Sequence, residues 1–179
     1  MTLAKTLTAP TANEYAPYYS DYVERMRGES VQEVLPAQIP EIRDALQGLS
    51  DAQARFRPAA GEWSIKEVMG HMNDVERVFS YRLLRVSRND QTPLPGFEQD
   101  DFVRAAGFDD LPLGDLIDEF EYLRKANVLA IQALSAEASS RRGTASGASV
   151  SARALVYMLA GHVDHHMQSL REKYLPAVR

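Results

Sequence analysis

The chain has no cysteine among its 179 residues. Disulfides, thiolate zinc sites and a thiol nucleophile of its own are therefore excluded, and nitrogen and oxygen are the only strong metal ligands it can offer. Long apolar runs are missing too. No segment approaches the ~18 residues a membrane-spanning helix needs, and Met1-Thr2-Leu3-Ala4-Lys5 opens no apolar signal-type stretch. These absences lead us to expect a soluble, cytoplasmic protein. The net charge is −5 with no block of like charges, so the basic footprint that grips nucleic-acid phosphates is lacking. Neither nucleic acid nor membrane is expected as a partner. Strand-type alternation is absent as well, and nothing competes with helical periodicity. The length fits one domain, 1–179, able to bury its own core.

Histidine is sparse but concentrated. All four lie in two short segments, Gly70-His71-Met72-Asn73-Asp74 and Gly161-His162-Val163-Asp164-His165-His166. His162 and His166 are i and i+4, so on a helix they project from one face, a turn apart. Two imidazoles held side by side repel once protonated and need something to hold them. With His71 from a neighbouring helix they make three protein ligands with open positions left over, the pattern of catalytic rather than structural zinc-type sites. A lone histidine such as His71 would otherwise read as a hydrogen-bonded core residue. His165, about 60° round the helix from His162, is expected to face outward or to support a ligand from behind. Asp74, one turn after His71, reads first as a solvated helix residue. It is also the nearest carboxylate for orienting or deprotonating a group at the metal. Asp164, Gln168, Trp63 and the loop Arg141-Arg142-Gly143-Thr144 carry ordinary readings as surface residues, core anchor and turn.

Periodicity predicts four long helices. The first runs from about Val31 to Leu49 with Ser30 as N-cap and kinks at Pro36 and Pro40. The second starts at the capping box Ser64-Ile65-Lys66-Glu67 and reaches about Arg88, turning Ile65, Val68, Met72, Val75, Phe79 and Leu83 inward. The third starts near Pro112 and carries Leu116, Ile117, Phe120, Leu123, Asn127, Ile131 and Leu134. The fourth follows the glycine and serine cluster at 143–149 and stops before Pro176, with Leu155, Leu159, His162, His166 and Leu170 inside. The longest connection, Asn89 to Leu111, joins helices two and three and holds a short helix near Asp100 to Ala105. It can carry the chain the length of a bundle, which predicts an all-α, up-down-down-up four-helix bundle. His71 lies seven residues after Ser64 and His166 seven before Lys173, so on antiparallel helices both sit about 10 Å from one mouth. Residues 1–28, with Tyr15, Tyr18, Tyr19 and Tyr22, are too aromatic for a disordered tail. We expect them to pack on the bundle or on a partner.

The segments at 61–77 (Gly-Glu-Trp-Ser-Ile-Lys-Glu through His71 to Arg77), 92–97 (Thr-Pro-Leu-Pro-Gly-Phe), 141–147 (Arg-Arg-Gly-Thr-Ala-Ser-Gly) and 161–166 resemble, in order and spacing, the DinB superfamily. The resemblance covers about Tyr15 to Tyr174. It implies an up-down-down-up bundle holding one divalent metal ion, commonly nickel or zinc, on His71, His162 and His166. Here Asp164 and Met167-Gln168 replace the Glu and Arg-Gly-Gln often found around the late motif. Relatives include thiol S-transferases and an isomerase dependent on low-molecular-weight thiols, and others are called metal-dependent hydrolases. The resemblance thus points to a metal-dependent enzyme acting on a small molecule, with a thiol cosubstrate and thiol transfer placed ahead of hydrolysis. The competing expectation is a non-enzymatic, metal-binding stress-response bundle acting through homodimer contacts. An open, lined pocket beside the ion favours the first, and an ion sealed by apolar side chains the second.

Overall fold

The computed structural model describes residues 7–179. In chain order its elements are α1 (Ser20–Arg25), α2 (Val31–Leu46), α3 (Asp51–Ala54), α4 (Ile65–Ser87), α5 (Gln99–Ala106), α6 (Leu113–Gln132), α7 (Ala136–Ser140), β1 (Arg142–Ala145), β2 (Ala148–Ser151), α8 (Ala152–Ser169) and α9 (Leu175–Val178). The long helices α2, α4, α6 and α8 are the four the periodicity predicts.

Their directions follow from which residues meet. Arg43 of α2 pairs with Asp118 of α6 at 2.6 Å, while Gln38, five residues earlier, meets Arg124, six residues later, so α2 and α6 are antiparallel. Asn73 donates to the Leu116 carbonyl and Glu76 meets Arg124, so α4 and α6 run together. Gln38 reaches the Ala160 carbonyl and Glu41 reaches Arg171, so α2 and α8 also run together. The bundle is up-down-down-up. Helices α2 and α4 each pack against both α6 and α8, and α5 lies in the long crossover between α4 and α6 as expected.

The boundaries differ in instructive places. The capping box opening α4 is formed, with Ser64 Oγ accepting from the Glu67 N–H at 3.0 Å and the Glu67 carboxylate accepting from the Ser64 N–H at 2.9 Å. At α2 the N-cap is Ser30, but its side chain makes no cap bond. That helix runs through Pro36 and Pro40 and ends at Leu46, not Leu49, because Gly48 follows with φ +86°. Pro112 sits at the N-cap of α6 rather than inside its first turn. The last helix does not stop before Pro176. A π-turn at Leu170–Tyr174, closed by the Leu175 N–H on the Leu170 carbonyl, passes it on to α9, where proline falls in the first turn and its missing N–H costs nothing.

The glycine and serine cluster is a β-hairpin, against the expectation of no strand. Arg142 pairs with Ser151 and Ala145 with Ala148, around Ser146 (φ +51°) and Gly147 (φ +77°), the two positive values of a type I′ turn. The crossover docks on it through the Leu94 N–H to the Thr144 carbonyl and the Ser146 N–H to the Leu94 carbonyl. At the other end of the chain, Tyr15, Val23 and Met26 are buried in the same apolar cluster as Leu155 and Leu159 of α8. Residues 1–6 of the predicted N-terminal segment lie outside the described residues.

Candidate metal centre

Each histidine segment opens with a glycine, and both glycines admit a close neighbour. A Cβ on Gly70 would lie 2.4 Å from the Phe108 ring, and one on Gly161 would lie 1.9 Å from the carbonyl oxygen of Tyr22. The first lets the crossover press on α4 beside His71. The second lets α1 lie directly on α8 beside His162. Arg25 fastens α1 there, its Nη1 donating to Gln168 at 2.7 Å and Asp164 at 3.1 Å, while its Nε donates to Asp21. Asp164 and Gln168, the residues that depart from the pattern of the resembled family, thus hold the N-terminal helix on the bundle.

Three imidazoles converge beneath it. His71 Nε2 lies 3.0 Å and His166 Nε2 3.1 Å from His162 Nε2, and all three nitrogens fall within 4.8 Å of one another. His71 and His162 are buried, His166 partly so. Two nitrogens bonded to one ion at ~2.0–2.1 Å with tetrahedral angles are separated by about 3.3 Å, close to the spacing seen. The electrostatics agree. Burial, reinforced by the charge on His165, pushes the His71 pKa down to about 4. Burial, then the neighbouring histidines, holds His162 and His166 well below the usual range. All three are therefore neutral at pH 7 and present lone pairs, the form that ligates. The donor set fits a divalent ion: three neutral nitrogens share one point, and no carboxylate joins them among the described residues.

The remaining predicted residues fall around this cluster. Trp63, expected as a core anchor, has its ring 4.7 Å from that of His71 and tilted by 49° to it. His165 lies on the flank of α8 with Nδ1 3.4 Å from Asp21 and its ring 5.5 Å from that of Tyr22. Asp74 is half-buried, and burial raises its carboxyl pKa above the ordinary value, but it does not join the nitrogens. Beside His162 a cleft of about 440 Å³ opens, walled by Tyr19, Tyr22, Phe79 and Phe97 with Glu98 and Asp100 along it. Burial lifts the Tyr22 phenol to about 12, so it stays a hydrogen-bond donor.

Periodicity alone missed a second buried polar group. Arg124 and Glu76 are joined by two parallel hydrogen bonds of 2.7 and 2.9 Å, and Asn127 and Gln38 complete the network. The signal was present: Glu76 falls in phase with Met72, Phe79 and Leu83, and Arg124 with Phe120, Asn127 and Ile131, which marks charges set on an apolar stripe.

A four-helix bundle with three neutral histidines converging beside an open cleft defines the class, a bundle whose histidine triad is able to hold a metal ion. The family comparison makes it specific. The DinB superfamily matches residues 36–170, and the chain belongs to it. Among solved structures the chain is similar to YfiT from Bacillus subtilis, described as a probable metal-dependent hydrolase with an unusual four-helix bundle topology. The two share 15% sequence identity over 89% of this chain and 91% of that one, with a TM-score of 0.72. At that identity the likeness establishes the fold. A search of curated proteins finds no match.

Proposed function

We propose that the protein is a metal-dependent enzyme for a small molecule, with one divalent ion, nickel or zinc, on His71, His162 and His166. The observation that carries this reading is that His162 belongs both to the nitrogen cluster and to the wall of the 440 Å³ cleft. A group bound in the cleft therefore lies against one of the three histidines that would hold the ion. Such an ion supplies Lewis-acid polarisation and lowers the pKa of a water or thiol it binds. The chain's own residues do the rest. Tyr19, Phe79 and Phe97 offer apolar faces to the body of the substrate, and the neutral Tyr22 phenol is placed to donate a hydrogen bond to it. Helix α1 covers His162 from one side and limits water. Asp74, made more basic by burial, is the candidate proton acceptor.

Two reactions suit the arrangement, thiol transfer and hydrolysis. The chain has no cysteine, so thiol transfer needs a low-molecular-weight thiol from solution. YfiT's description supports hydrolysis. The non-enzymatic reading is weakened by the open cleft. A homodimer remains its natural companion, since Leu84, Tyr122 and Leu129 are exposed on α4 and α6, and sedimentation would detect it. The test of function is metal analysis of untagged protein, then assays of electrophiles and esters with and without bacillithiol, mycothiol or cysteine. Metal-dependent turnover supports the reading and thiol dependence selects between the reactions. Stoichiometric metal with no turnover in either arm would overturn it.

A further inference from the structure

We propose that a separate pocket over Arg82 binds the carboxylate or phosphate end of a small organic anion with a flat apolar body. Arg82, on α4, is only 2% exposed. Both of its hydrogen bonds leave from Nη2, to the Pro95 carbonyl at 2.8 Å and to Ser146 Oγ at 2.9 Å. Among the described residues no carboxylate comes within ion-pair distance of it. A guanidinium carries five N–H donors, and those on Nε and Nη1 have no acceptor among the described residues. The contrast with Arg124, whose charge is matched by Glu76, is direct.

A buried cation without a counter-ion is costly. The rings of Phe79 and Phe97, 5.8 and 5.9 Å from the guanidinium carbon, offset part of that cost. The free donors are not sealed in. The side-chain polar atoms that are both buried and unpartnered among the described residues are Asn73 Oδ1 and His165 Nδ1, so those of Arg82 open onto a space, a pocket of about 320 Å³. Its walls are Val78, Tyr81, Leu94, Phe97 and Phe102, and its second cation, Arg77, is already engaged by Glu119. The charge that is missing is therefore negative, the unspent guanidinium N–H donors suit a carboxylate or phosphate oxygen, and the walls suit an aryl or short apolar group. The pocket shares Gly96 and Phe97 with the cleft at His162 but does not contain the histidines. The inference stands whether or not a metal is bound.

The test is isothermal titration of the full chain with benzoate and phenyl phosphate, with benzyl alcohol as the uncharged control, alongside the 15N resonance of Arg82 Nε. We expect one or both anions to bind saturably and to move that resonance, benzyl alcohol to bind at least about tenfold more weakly, and prior chelation of metal to change nothing. The tighter of the two anions names the ligand's head group. Arg82→Gln should lose about tenfold or more. Val78→Trp, which fills the pocket and leaves Arg82 intact, should lose as much and decides the matter if Arg82→Gln does not fold. Absence of saturable binding by either anion, equal affinity for benzyl alcohol, binding that disappears with chelation, or unchanged affinity in Val78→Trp would each overturn the proposal.

Discussion

Two polar clusters lie buried in one bundle, and they are built on opposite principles. On α4 they are five residues apart, His71 in one and Glu76 in the other. Around Glu76 everything is paired. Arg124 uses Nε and Nη2 on the carboxylate, Nη1 on Gln38 at 2.6 Å and on the Leu35 carbonyl, and the second Nη2 hydrogen on the Leu159 carbonyl. Charge cancels and all five donors are spent. Around His71 the three Nε2 atoms face only one another, and among neutral imidazoles each contact needs one nitrogen to give up its lone pair to a neighbour's proton. The first cluster is complete as folded. The second leaves nitrogen lone pairs directed at a common point, where an ion would complete it.

The widest separation between them should appear in metal binding. His162→Ala or His166→Ala removes one of three ligands and should nearly abolish binding of zinc or nickel, while Glu76→Gln should leave stoichiometry at one per chain. A metal titration on the three variants checks this, and retained tight binding by His162→Ala would end the three-ligand reading.

Stability should reverse the order. Glu76→Ala leaves the Arg124 charge buried and unpaired and should cost about 3–5 kcal/mol. In metal-free protein His162→Leu deletes an imidazole that lacks a complementary partner and should cost far less. Urea unfolding in the presence of chelator compares the two. An equal loss would mean that the histidines, too, form a self-sufficient network.

Acid should discriminate as well. Unfolded imidazoles take up protons near pH ~6.5, whereas burial holds His71 at about 4 and the other two well below their usual range. Between these values the unfolded chain binds more protons, so the stability of metal-free protein should fall as pH drops from about 6.5 toward 4, by up to about 3 kcal/mol from His71 alone. Bound metal opposes this until protons displace it, and because the folded-state ligands are protonated only near pH 4 or below, metal content should hold to about that pH and drop beneath it. His71→Phe should flatten the slope. Metal content unchanged well below pH 4, in protein that is still folded, would contradict histidine ligation.

The self-completing cluster was hidden in the sequence and the incomplete one was plain. Three histidines at one level follow from i, i+4 spacing and an antiparallel pair of helices, which need only local periodicity and one long crossover. Arg124 and Glu76 belong to different helices and are safe in the core only as a pair, and a single chain read alone gives no partner for either. The hairpin at 142–151 was missed because its strands are four residues long and rich in serine, glycine and alanine, with the turn carried by Ser146-Gly147 rather than Asn-Gly. Gly70 and Gly161 stood beside the histidines in view, yet what they admit, Phe108 and the Tyr22 backbone, is a tertiary fact. The continuation past Pro176 rests on a π-turn, which no local propensity announces.

The smallest expected effect concerns the fourth histidine and sharpens where the incomplete cluster ends. His165 is next to His166 in sequence and three residues from His162, but α8 turns it about 60° away from His162, toward α1. Its ring meets Tyr22 edge-on at 5.5 Å and His166 at 5.1 Å, and its Nδ1 approaches Asp21. It can therefore steady His166 and the seat of α1, but it offers no nitrogen to the common point. His165→Ala should leave one metal per chain, with a loss of at most ~10 to 100-fold in affinity or activity. Part of that loss should come from loosened α1 contacts, so Asp21→Asn, which weakens the same contact without touching an imidazole, should reproduce a fraction of it. Side-by-side titrations of His165→Ala, His166→Ala and Asp21→Asn decide the point. If His165→Ala empties the site while His166→Ala keeps its ion, then the ligands on α8 are i and i+3, and the helix turns a different face to His71 than the one described.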